Sequence, residues 1–165
     1  MQIPDSVFLI SGYVLAHAAY SVCDADEGEL LIPLAVVESD GRREVLRFEA
    51  DSQEEAIARA KGELTALKQG ADIWAFAREG LWQPDDGPKQ DVFAVTAWAK
   101  GVEMDVSIIQ PFRPNRGIED FRLLAGLDVV IDGDLLDGEI AQTCRAMVEE
   151  GVTYHPRGGQ WASWH

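Results

Sequence analysis

Two stretches of this chain are apolar on both faces of a strand, and that restricts the fold more than any other feature. Asp91 to Ala99 carries Val92, Ala94 and Trp98 on one side and Phe93, Val95 and Ala97 on the other. Asp72 to Gln83 sets Ile73, Ala75 and Ala77 against Trp74 and Phe76. Successive side chains of a strand point to opposite faces, so such strands must be covered from both sides. The cover has to be helices, the C-terminal tail or a second copy of the chain. Alanines at 75, 77, 94, 97 and 99 permit close approach of any of these.

The neighbouring segments supply the rest of a sheet and its helices. Leu30 to Glu38 reads as a strand, Ser39-Asp40-Gly41-Arg42 as a turn, and Arg43 to Glu49 as a second strand whose Leu46 and Phe48 share a face. Ser52 and Glu55 have capping-box spacing, and Ile57, Ala60, Leu64 and Leu67 follow at helical intervals, with Gly70 as the stop. Glu55, Arg59 and Glu63 stand four apart on the outer face of that helix. Pro84 to Pro88 is a loop, and Lys100-Gly101 turns the chain. Val102, Met104, Val106 and Ile108 form one face of a further strand, and Pro111 to Gly117 breaks the pattern as a loop. Phe121 to Leu124 and Leu127 to Ile131 are short strands. Asp137 caps a last helix in which Ile140, Cys144, Met147 and Val148 share a face, with Gly151 as its stop.

The resulting expectation is an α+β fold: a mainly antiparallel sheet of about five to seven strands packed by two or three helices. The 165 residues make one domain, with residues 152–165 as a docked aromatic tail. Val7 to Cys23 is apolar enough to suggest a leader or a span. It lacks the basic start of a leader and is short for a span, so it reads as a buried strand or helix start followed by a core helix.

Composition bounds the partners. Fourteen Lys and Arg face 29 Asp and Glu, a formal net charge of -15. Such a surface repels nucleic acid and anionic membranes and attracts a basic protein or a cation. Cys23 and Cys144 lie far apart in apolar helical patterns, so they read as small core hydrophobes of a cytoplasmic protein.

Motifs exclude more than they assign. The chain has no glycine-rich phosphate loop, no His-Glu-x-x-His and no Gly-x-Ser-x-Gly. Tyr13, His17, Ser21 and Asp24 form a stripe at helical spacing, but side chains of one helix lean the same way and do not converge as a triad. Asp24, Asp26, Glu27 and Glu29 form one acidic loop, and Asp132, Asp134, Asp137 and Glu139 a second. Neither has calcium-loop spacing. His155 and His165 are ten apart with no cysteine or carboxylate between them, which is no metal pattern. No metal or cofactor is expected.

Four residues stand out as partner-binding candidates. Trp161 and Trp164 are three apart in the tail, and Arg113 and Arg116 sit in the one local basic cluster with Arg122. The tail is expected to dock on its own chain, because exposing two indoles wastes a large burial term. The functional expectation is a small acidic protein that binds a protein partner with a basic surface, in an inhibitor, immunity-type or regulatory role, with a homodimer as a further arrangement. The alternative is an enzyme or small-molecule receptor with a pocket between sheet and helices. That pocket would be lined by Trp74, Phe76 or Trp98, with Tyr13, His17 or an arginine as its polar group.

Overall fold

The structure is a computed structural model and describes residues 3–83, 86–115, 120–124 and 126–165. In chain order it contains α1 (Asp5–Cys23), β1 (Leu34–Ser39), β2 (Arg42–Arg47), α2 (Gln53–Leu67), β3 (Ile73–Trp82), β4 (Gln90–Ala99) and β5 (Val106–Arg113). There follow β6 (Arg122–Leu123), β7 (Asp128–Ile131), β8 (Asp134–Leu135), α3 (Gly138–Thr153) and a 3₁₀ segment, Gly158–Trp164. The strands form one antiparallel sheet in the order β2-β1-β3-β4-β5-β7-β8, with β6 paired to the C-terminal end of β5. The α+β class is as expected. The eight strands exceed the expected five to seven by β8, which is two residues long and too short to show a period.

The two-sided strands are covered as they require, by different partners. Leu34, Val36, Ala75, Ala77, Phe93 and Val95 pack with α1. On the other face Ala35, Val37, Trp74 and Phe76 lie with Phe48 under Ala56, Ala60 and Leu64 of α2. The outer face is not covered throughout. Trp98 stacks on Trp74 at 6.0 Å between ring centroids, but Thr96 is exposed and Ser107 half-buried.

Helix α1 is continuous from Asp5, so its first part is not a strand. It is apolar nearly all round because the sheet walls one side and α3 another, the usual condition of a buried helix. By length and composition it could cross a bilayer, yet most of it is buried inside the fold. The approach of α3 is set by two glycines. A Cβ on Gly12 would collide with the carbonyl of Val148, and one on Gly151 with the carbonyl of Leu9. Gly151 is therefore not the stop of α3, which runs on to Thr153. Its lack of a side chain serves the crossing.

Turn and cap chemistry explain most of the boundaries. Ser52 Oγ accepts the Glu55 N–H at 3.1 Å, as the capping pattern requires. Arg59 and Glu63 pair at 3.8 Å on the outer face. The β1–β2 turn uses Asp40 and Gly41 at φ 51° and 77°, the two left-handed positions of a tight hairpin. Asp132 and Gly133 repeat this, at 51° and 82°, between β7 and β8. The expected strand from Leu30 begins its ladder only at Leu34, and the one from Val102 only at Val106. Asp137 holds the N-cap position of α3 but makes no side-chain cap bond.

The segment Pro111–Arg113 is strand, not loop. Proline lacks an N–H, but the Pro111 carbonyl accepts from Leu124 N–H at 3.0 Å, so its missing donor faces the short β6 side and costs the β4 ladder nothing. Gln110, fully buried, donates to the carbonyl of Leu124 at 2.7 Å and ties down the same corner.

The tail docks on its own chain. Trp164 is 8% exposed and meets Phe121 edge-on at 6.0 Å, beside the stacked Phe93 and Phe112. Arg122 Nη1 donates to the His165 carbonyl at 2.8 Å, and Gly158 admits the tail against the carbonyl of Val152. Trp161 is half-buried against Trp164.

Three stability changes are expected from this packing. Gly151→Ala should cost about 2 kcal/mol or more in urea unfolding, since overpacking against backbone cannot relax by rotamer change. Gly62→Ala, on the open face of α2 with nothing within 4 Å of its Cβ position, should stabilise by about 0.5 kcal/mol. Equal effects at the two sites would refute the close crossing. Trp164→Ala should lower stability by about 3 kcal/mol, as for a buried core indole, and a loss within about 0.5 kcal/mol would show the tail undocked.

Candidate functional site

The fold brings together a histidine pair that no local pattern announces. His17 lies on α1, and His155 in the turn between α3 and the 3₁₀ segment, 138 residues away. His17 Nδ1 and His155 Nε2 are 2.9 Å apart. Tyr13, His17 and Tyr20 are spaced by four and three along α1, so one helix face presents all three rings to His155, at 5.0, 5.1 and 6.4 Å between centroids. The Arg157 guanidinium lies over the Tyr20 ring at 5.1 Å, and that of Arg43 over Tyr13 at 4.3 Å. Arg43 also pairs with Glu38.

The hydrogen bonds fix which ring nitrogens carry protons. The Arg157 backbone N–H donates to His155 Nδ1 at 3.0 Å. A backbone N–H can only donate, so His155 Nδ1 accepts and its proton sits on Nε2. That Nε2–H donates to His17 Nδ1. Neutral His17 therefore carries its own proton on Nε2, which makes no hydrogen bond to the described residues.

The surroundings keep both rings uncharged. Burial, then the neighbouring His17, then the Arg157 charge push His155 from 6.5 down to about 4. Burial first and the Arg47 charge second hold His17 below its ordinary value. Arg47 and Arg157 form no ion pair among the described residues.

His17 borders a cleft of about 370 Å³ together with Tyr20, Ser21, Glu29, Arg47 and the apolar Val22, Leu31 and Leu34. A second recess, of about 310 Å³, lies across the 24–30 segment. Asp26, Glu27, Glu29, Glu79 and Asp91 surround its apolar lining of Val22, Leu30 and Phe112. Glu79 Oε1 accepts the Leu31 N–H at 2.8 Å, and burial pushes its carboxyl above the ordinary range. Among the described residues no group of three or more His, Cys, Asp or Glu is placed to hold a metal ion.

The other sequence candidates fall into place around these features. Ser21 Oγ donates to the His17 carbonyl at 2.7 Å and Asp24 ends α1, so the His17-Ser21-Asp24 stripe is a helix edge and not a triad. Trp74, Phe76 and Trp98 lie under α2, on the sheet face opposite α1. A pocket lined by them and closed by His17 is thereby ruled out. Arg113 donates twice to the Asp120 carbonyl, at 3.1 and 2.8 Å. Arg116 lies outside the described residues. Trp164 is committed to the core. Asp132 Oδ1 accepts the Asp105 N–H at 2.8 Å, which makes the second acidic loop a hairpin turn.

Sequence reasoning placed His17 and Tyr13 on one stripe but missed Tyr20, His155 and Arg157. The first was legible as the next turn of the same face. The other two depend on where the α3 exit meets α1. Comparison with protein-family models, with curated proteins and with solved structures gives no match.

A pH prediction follows from the histidines. Their folded-state values lie below the unfolded 6.5, so the unfolded chain takes protons first as pH falls. The contribution is fully present above 6.5 and is lost progressively toward about 4. Urea unfolding across that window should show a steeper loss in the native protein than in His155→Gln. Parallel curves would show that His155 titrates normally.

Proposed function

We propose that the protein is a cytoplasmic binding protein that engages a protein with a basic surface, in an inhibitor- or immunity-type role, through its acidic recess. The observation that carries this reading is the arrangement at that end of the molecule. Leu30 and Leu81 stand 55% and 67% exposed, and Leu81 pairs across the ladder with Asp91. The carboxylates of Asp26, Glu27, Glu29 and Glu79 line the recess with Leu30. Apolar anchors ringed by one sign of charge suit a partner of opposite sign, with the anchors supplying affinity and the ring supplying steering and orientation.

The net charge of -15 supports the same choice of partner, because it opposes nucleic acid and anionic lipid at any distance within the screening length. Two free cysteines support a reducing compartment. A second copy of the chain over the open part of the outer sheet face is compatible with this role.

The test is affinity capture from native lysate at low salt, eluted with a salt ramp, using the native chain and an Asp26→Lys, Glu27→Lys, Glu29→Lys variant. All three residues are exposed, so the reversal spares the core. A basic protein retained in stoichiometric amount by the native chain, released by salt and lost with the variant, is the expected result. Bait alone, or a partner that ignores both salt and the reversal, would sink the reading.

A further inference from the structure

The cleft on the other side of the 24–30 segment sets Arg47 and His17 against one carboxylate, Glu29, where the acidic recess has five. We propose that this cleft is a binding site for a small organic carboxylate with a short apolar body, held by the Arg47 guanidinium and the Nε2–H of His17. This does not depend on the acidic recess or on any protein partner.

Three observations lead to that ligand class. First, Arg47 and Arg157 flank the histidine pair, and neither guanidinium is paired with a carboxylate among the described residues. Arg47 itself lines the cleft. A guanidinium presents a fork of N–H donors that matches a carboxylate.

Second, the hydrogen-bond chain sets the polarity of His17. Arg157 N–H donates to His155, and His155 donates to His17. The remaining nitrogen of His17 is thus a donor. A metal ion or a substrate proton would need a lone pair there, so the ring suits an acceptor such as a carboxylate oxygen. His155 acts through His17 and is a positioning residue.

Third, the walls supply a place for the rest of the molecule. Leu30, 55% exposed, and half-buried Ile32 are the lining residues that keep apolar surface open to solvent, and the cleft volume of about 370 Å³ is at the small end of ligand pockets. Inorganic phosphate could meet Arg47 and His17 but would leave these walls facing water. A carboxylate with a few methylenes would cover them.

The experiment is a titration of the isotope-labelled full chain with sodium butyrate at neutral pH, read on the His17 and His155 ring resonances and the Arg47 Nε–H. Parallel titrations use sodium phosphate and sodium chloride at matched ionic strength. Saturable butyrate shifts at both His17 and Arg47, with phosphate weaker and chloride silent, are expected. Arg47→Met, an exposed change that leaves the core intact, should weaken butyrate binding about tenfold, and His155→Gln should weaken it by removing the tautomer constraint on His17. The inference is overturned by absence of saturable shifts, by phosphate binding as tightly as butyrate, or by butyrate binding unchanged in Arg47→Met. The backbone spectrum of each variant confirms that it is folded.

Discussion

The whole arrangement depends on how closely α3 lies against α1. Gly12 and Gly151 bring each backbone onto the other's side-chain-free spot, and no larger residue fits at either. This contact makes α1 a mostly internal helix, with the sheet on one side and α3 on another. It also fixes where α3 ends, and so where His155 emerges beside the Tyr13-His17-Tyr20 face. A looser crossing would separate the two imidazoles, because a 2.9 Å hydrogen bond tolerates little displacement. Packing of two largely apolar helix faces thus decides the geometry of the histidine pair.

Much of the fold was legible from the chain, and the reasons are local. Ser52 and the apolar spacing behind it define α2, and the two-sided strands demand a central sheet. The Asp40-Gly41 turn announces its hairpin. Asp132-Gly133 has the same chemistry and marked the eighth strand just as clearly, but it sat in a run of carboxylates that drew a loop reading. Pro111 misled in another way. A proline in an apolar run reads as a break, yet it can end a strand when its missing N–H faces a short partner. Gly151 looked like a stop because glycine ends many helices, whereas its role here is steric and visible only once α1 is in place.

The site was less legible than the fold. His17 could be placed on a face from spacing alone. Its partner could not, since the approach of residue 155 to residue 17 is a property of the whole tertiary arrangement. The tail residues carried the strongest sequence signal, two tryptophans and two histidines, and divide between roles. Trp164 serves the core at Phe121. His155, which looked like one more tail residue, serves the histidine pair.

Charge is segregated across one short segment. Val22, Ala25, Glu29 and Leu30 border both recesses, acidic on one side and lined by Arg47 and His17 on the other. The acidic side gathers Asp26, Glu27, Glu29, Glu79 and Asp91. The opposite side keeps two histidines neutral by burial and by neighbouring arginines, so among the described residues its full positive charges are guanidinium groups that do not titrate. Its preference for an anion is therefore constant across the physiological pH range and would fade only where the ligand's own carboxylate takes up a proton. Occupants of the two recesses would press on the same four residues. Any coupling between the two recesses would run through these shared residues and would change each affinity by the same factor in both directions.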